Sequence, residues 1–191
     1  VAVTGVQTCA LPISPHIYVW KTGGITDYPA EVRKMRQVPG VTGAGPAILG
    51  KALISAGDAQ AFISLKGVDP ALEGSVTDIQ QSMLEGQVSA LAESSDTDAP
   101  GILIGRALAQ QLGVRVNESV TLTTPQGTLS PMGMIPRVRR VTVRGIYSLG
   151  LYEFDSEYGF ISLDLAQRLM SKTEPDLIEL RRSEEHTSEL Q

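Results

Sequence analysis

Residues 129–159 read LSPMGMIPRVRRVTVRGIYSLGLYEFDSEYG, and the rest of the chain is arranged around them. The stretch opens on an apolar run punctuated by proline, Pro131-Met132-Gly133-Met134-Ile135-Pro136. Strand-like segments flank it, Val120 to Thr123 before and Val141 to Val143 after. Proline cannot donate to a strand ladder and glycine weakens a strand, so the run is expected to be a loop and not a central strand. Two methionines and an isoleucine in a loop either fold back into the core or form the apolar tip of a projecting hairpin that docks another protein. Past the loop, Arg140, Thr142 and Arg144 alternate with Val141 and Val143, one face wet and one buried. Val138 breaks that alternation, which predicts a bulge near Arg139.

The two ends call for separate treatment. Arg182 to Gln191, RSEEHTSELQ, back-translates as AGA TCG GAA GAG CAC ACG TCT GAA CTC CAG. Its reverse complement reads Gly-Val-Gln-Thr-Cys-Ala-Leu-Pro-Ile, which is Gly5 to Ile13. One oligonucleotide read from both strands is the mark of a sequencing adapter. Residues 1–14 and 182–191 are therefore expected to be adapter-derived, with native sequence from about Pro15 to Arg181. The only cysteine, Cys9, and one of the two histidines, His186, fall in those ends. Without Arg182, Glu184, Glu185 and Glu189, 15 basic and 18 acidic residues remain, a net charge of −3. That balance makes no electrostatic case for nucleic acid or an anionic membrane surface. A chain without cysteine has neither a disulfide framework nor a thiolate metal site. No run reaches the apolar length that spans a bilayer, and no signal peptide is visible.

In order along the chain, His16 to Trp20 predicts a strand. Asp27 is expected to cap a helix with Pro29 in its first turn, stopped by Pro39-Gly40, and Val41 to Ile48 returns extended. Gly45 to Ala52 imitates a phosphate-binding loop, G-x-x-x-x-G-K, but Ala52 stands where a magnesium-ligating hydroxyl is needed and no long helix follows; the competing reading is a strand crossing into a second subdomain. Ala61 to Val68 alternates as a half-buried strand closed by Asp69-Pro70. Ser75 is expected to cap a helix burying Val76, Ile79 and Met83, and Glu93 to Pro100 to form a surface loop. Gly101 to Ile104 reads as a strand, and Arg106 to Leu112 as a helix ended by Gly113. Gly159 to Ile161 is a strand, Ser162 caps the following helix with Leu165, Leu169 and Met170 inward, and Asp176 to Leu180 closes. Two β-α-β units around a longer strand-rich middle make an α+β chain in two parts.

Catalytic chemistry has few candidates. One native histidine, His16, and no cysteine leave no Ser-His or Cys-His pair, and His16 has no metal-binding companions. Glu153, Asp155 and Glu157 alternate, which on an extended segment places them together on one solvated face.

The order Ser130-Pro131-Met132-Gly133-Met134-Ile135-Pro136-Arg137, then Val143-Arg144-Gly145-Ile146, then Gly150-Leu151-Tyr152-Glu153-Phe154-Asp155-Ser156, then a strand and Asp164-Leu165-Ala166-Gln167, resembles the periplasmic domain of the LolC/LolE permeases of lipoprotein-releasing ABC transporters. His16-Ile17, Pro39-Gly40-Val41 and Gly105 to Ala109 extend the resemblance upstream. The chain departs from the family pattern by one extra residue before Ala166-Gln167 and by Asn117-Glu118 in place of Gly-Asp. The resemblance implies a split ferredoxin-like (Porter-like) layer from residues 15–50 and 151–181, with a strand-rich (Sabre-like) subdomain inserted at residues 51–150. It implies a hook at residues 125–137, with Pro131, Met132, Gly133, Met134, Ile135, Pro136 and Arg137 contacting a LolA-type carrier chaperone. It further implies a LolD-type ATPase subunit that uses the ATP, a second permease subunit, a lipoprotein substrate, an inner-membrane location facing the periplasm, and no catalytic residue or cofactor in this stretch. The alternatives are a MacB- or FtsX-type permease domain and a soluble nucleotide-binding enzyme resting on Gly45 to Lys51.

Overall fold

A computed structural model describes residues 5–8, 17–92, 99–131 and 133–183. It shows a sheet-rich α/β body whose strands all join one sheet. In chain order the elements are β1 (Gly5–Thr8), β2 (Ile17–Trp20), α1 (Tyr28–Arg36), β3 (Val41–Ala56), β4 (Ala59–Val68), α2 (Pro70–Val76), β5 (Met83–Gly86), β6 (Gly101–Gly105), α3 (Arg106–Leu112), β7 (Ser119–Ser130), β8 (Gly133–Tyr147), α4 (Tyr152–Glu157), β9 (Tyr158–Ser162), α5 (Leu163–Met170) and β10 (Leu177–Arg182). The sheet runs β1-β2-β10-β3-β4-β9-β6-β8-β5, with β7 between β8 and the far end of β3.

β3 organises this sheet. Residues 41–47 pair with β10, and residues 47–56 pair with β4 on the opposite edge. Leu53 to Ser55 pair with β7, farther along the edge that β10 occupies. The pairings β3-β4-β9-β6-β8-β7-β3 therefore close into a ring of six strands. Ile48, Ile54, Leu65, Ile102, Ile104, Leu122, Val141, Val143 and Ile161, all at most 1 % exposed, form one core with α3 and α5. Along β3, the stretch between β10 and β7 is covered by the turn after α5. There Asp176 donates its amide to the Ala47 carbonyl and accepts the Leu49 amide on its carboxylate. These bonds satisfy backbone groups that would otherwise lack a ladder partner.

Most expected elements are present at their expected places, β6, α3 and α5 almost to the residue. Ser162 caps α5 by accepting the Leu165 amide at 3.3 Å. Gly113 ends α3 in the left-handed region, φ 66°. Three local expectations need correction. Asp27 lies in the left-handed region and makes no side-chain cap. The helix expected from Ser75 starts at Pro70 and is capped by Asp69, which accepts the Ala71 amide at 3.0 Å. Ser75 lies inside it and donates back to the Leu72 carbonyl. The register shift falls between Thr124 and Gly127 on β7, not at Arg139, because two extra residues sit on that strand and Val138 pairs regularly with Thr123. Gly45 to Ala52, by contrast, lies wholly within β3 and opens no helix, as the strand reading of that stretch expected.

One polar junction is buried. Lys66 on β4 contacts Glu179 on β10 at 2.6 Å and Glu73 on α2 at 3.1 Å; the three side chains are 8, 3 and 3 % exposed. Thr77 donates its hydroxyl to Glu73 at 2.9 Å, and the ammonium lies 5.5 Å from the Phe160 ring centre. Nearby, Arg181 of β10 makes a two-pronged ion pair with Asp78 at 2.6 and 3.1 Å. α2 lies so close to β3 that a Cβ on Gly43 would stand 1.8 Å from the Ser75 carbonyl oxygen.

Candidate functional site

The quoted stretch forms a two-stranded ribbon. Val120 pairs with Val141 inside the core, and Thr124 with Arg137 at its margin. Beyond the two extra residues Pro125 and Gln126, Gly127 pairs with Pro136, Thr128 with Ile135, Leu129 with Met134, and Ser130 with Gly133. The expected loop is thus a hairpin whose last described pair is Ser130 with Gly133. Residues 133–136 are part of β8, a correction with a simple cause. This outer part of β8 pairs only with β7, so one edge is open and Pro136 forfeits no ladder bond on that side. Gly133 at the turn has φ 116°, and a Cβ on Gly127 would lie 1.9 Å from the Ile135 carbonyl oxygen. Glycine at both positions is dictated by backbone geometry.

Of the seven expected hook residues, Met132 lies outside the described residues. Pro131, Gly133 and Pro136 are exposed, and Ile135 is 58 % exposed. Met134 is placed by its backbone pairing with Leu129. Val138, one register step inward, is 62 % exposed. Apolar side chains so open at the end of a ribbon are unusual for a surface that meets only water.

Arg137 is used differently from Pro131, Gly133, Ile135 and Pro136. It is half-buried, and its guanidinium donates to the carbonyl of Arg168 in the last turn of α5. Its register partner Thr124, fully buried, donates its hydroxyl to the next carbonyl, Leu169, at 3.3 Å. Arg137, Val138, Arg139, Leu165, Arg168 and Leu169 line a cleft of about 250 Å³ between ribbon and helix. Arg139 and Arg140 are exposed at the ribbon's base.

Titratable groups elsewhere hold the fold together. Glu153, Asp155 and Glu157 lie on the short helix α4 and not on an extended face. Asp155 is buried there, accepting the Leu149 amide at 2.7 Å and the Ser148 hydroxyl at 2.9 Å. Tyr147 donates to the Tyr158 carbonyl at 2.8 Å, and burial lifts its phenol well above the ordinary value. At the junction, burial raises Glu179 to about 7; Lys66 pulls it down and Glu73 pushes it up. Burial opposes the charge on Lys66, yet Glu179 and Glu73 outweigh that and raise it. Among the described residues no group of three His, Cys, Asp or Glu could hold a metal ion, and no helix is long and apolar enough to cross a membrane. His16 lies outside the described residues.

Known proteins share both the sequence pattern and the architecture. Residues 7–187 match the MacB-like periplasmic core domain. The chain superposes on the periplasmic region of MacB from Actinobacillus actinomycetemcomitans with a TM-score of 0.57 at 9 % identity, covering 90 % of this chain and 76 % of that one. The extracellular domain of the transporter YknZ gives 0.56 at 10 % identity, covering 85 and 75 %. The chain therefore belongs to the MacB-like periplasmic core domain family, the periplasmic part of ABC permeases. Within it, the sequence is of the LolC/LolE type. It is 28 % identical over 177 residues to LolC of Neisseria meningitidis serogroup B, covering 90 % of this chain and 40 % of that protein. It is 30 % identical over 161 residues to LolC of Xylella fastidiosa strain Temecula1, covering 84 and 38 %. Both relatives are lipoprotein-releasing system transmembrane proteins, and the chain spans about 40 % of their length.

Proposed function

We propose that this domain belongs to an inner-membrane ABC permease that releases lipoproteins, and that its β7–β8 ribbon hands them to a soluble LolA-type carrier. On this reading β2-α1-β3 and β9-α5-β10 make the Porter-like layer and the strands between them the Sabre-like insert. A LolD-type ATPase subunit supplies the energy from ATP, a second permease subunit completes the pair, and this domain carries out no catalysis itself. The observation that carries the reading is the ribbon's outer half, where Ile135, Pro131 and Pro136 face solvent and β8 has no partner but β7. Proline at two positions and paired strands stiffen the tip, so little entropy is lost on docking. Met132, which lies between the two strands in the sequence, suits an apolar groove of imperfect shape.

The test is a titration of the chain against a purified LolA-type carrier, with Met132→Asp alongside. Saturable binding that weakens by roughly 2 kcal/mol or more in a folded mutant supports the hook. No binding by the folded wild-type chain would overturn the hand-off and favour an efflux or regulatory permease. Unchanged affinity of Met132→Asp would remove Met132 from the interface.

A further inference from the structure

The ribbon is fastened to the body by the last cross-strand pair before its irregularity. Thr124 and Arg137 face each other directly, and the register shift begins on the next residue. Both side chains reach the same place, the C-terminal turn of α5. The last four carbonyls of a helix have no partner within it. Here the backbone amides of Ser171 and Lys172 serve the Gln167 carbonyl, Arg137 serves Arg168 and Thr124 serves Leu169. A guanidinium is also favoured there by the negative end of the helix dipole. The helix is in turn anchored to the sheet. Lys172 bonds Asp176, whose amide and carboxylate hold Ala47 and Leu49 of β3, and β10 begins at Leu177.

The geometry points to Arg137 as a positioning residue. Its cap on α5, together with Thr124, sets the angle at which the ribbon leaves the body and so presents the tip to its partner. This rests on the docking role proposed above and gives Arg137 a part distinct from direct contact. The arrangement has the form of a clamp. Core packing holds the ribbon up to Leu122 and Val141, the two side-chain caps hold the next step, and beyond the shift the described strand residues pair with each other alone. Without the guanidinium the bend at Pro125-Gln126 has one restraint, the Thr124 hydroxyl, in place of two. The tip would then sample more orientations, and affinity falls by the fraction of time it spends in the competent one.

Backbone amide order parameters at Gly127, Thr128 and Gly133 of the 191-residue chain test this directly, with carrier titration in parallel. Arg137→Ala is expected to lower those order parameters from the rigid towards the flexible range and to weaken carrier binding about tenfold. The thermal midpoint should barely move. Arg137→Lys, which keeps a cation at the helix end, should recover part of both effects. Arg139→Ala is the control and should leave tip order unchanged. Unaltered tip order in Arg137→Ala overturns the clamp, whether or not the carrier binds. Loosened tip order with unchanged affinity overturns its role in docking. Failure of the wild-type chain to bind a carrier defeats the hand-off reading, while the order parameters still decide the clamp.

Discussion

Two regions invert the usual distribution of polarity. At the junction of β4, α2 and β10, a lysine and two glutamates are buried where a core would normally be apolar. At the outer half of the β7–β8 ribbon, Ile135 is open to solvent where a surface would normally be polar. The junction's charges have each other, a threonine hydroxyl and an aromatic face as partners. Ile135 is left 58 % exposed among the described residues. Burying charge is costly and returns little net stability, but a half-matched arrangement is penalised heavily, so the junction selects one seating of α2. Exposing apolar surface is costly in water and favourable only against a partner. The first region is finished by folding; the second, on the docking role proposed above, is left to be finished by association.

Substitutions can separate the two. The largest effect is expected from Lys66→Met, which leaves Glu73 and Glu179 buried without their cation; chemical denaturation should show a loss of about 3–5 kcal/mol. Replacing all three residues together with apolar ones should restore most of that loss, and failure to do so would mean the junction contributes stability as well as specificity. Next in size is Met132→Asp, which should cost carrier affinity roughly 2 kcal/mol while its unfolding curve overlays the wild type. A smaller effect concerns pH. Glu179 binds its proton more tightly in the fold, near 7, than at its ordinary value of 4.5. Between those values the native state holds more protons than the unfolded chain, so this group's contribution declines as pH rises from about 4.5 to about 7. Stability measured across that window should lose this slope in Glu179→Gln. The least effect is expected from Ile135→Ser, whose stability should stay within about 0.5 kcal/mol of wild type because it leaves no core contact behind.

What the sequence disclosed follows the range of the interactions involved. Ser162 and Gly113 mark helix ends through groups four residues away or less, and both read correctly. The ribbon was legible because its prolines and glycines punctuate an apolar run that no core claims. The junction was not. Lys66 shares strand parity with Phe62 and Ser64, and Phe62 is 83 % exposed, so alternation alone would put Lys66 in water. Only the return of α2 over that end of β4, and the arrival of Glu179 from far along the chain, bury it. The bulge expected near Arg139 rested on burying Val138, but Val138 is 62 % exposed and keeps the parity of Arg140 in regular register, while the shift comes from Pro125 and Gln126 on β7. The acidic residues at 153–157 alternate like a strand, yet the Leu149 amide and Ser148 hydroxyl draw Asp155 inward at the start of a helical turn.

β3 has a consequence for how this protein can change length. Its 16 residues, roughly 50 Å of extended chain, hold three partners at fixed offsets: β10 near one end, β4 over most of the rest and β7 near the other. Inserting or deleting one residue near Gly50 would turn every side chain on one half to the opposite face. If the half paired with β10 kept its register, the other half would present Ile54 to solvent and Leu53 to the core. Surface loops can absorb added residues, but this strand works as a ruler whose divisions cannot be respaced.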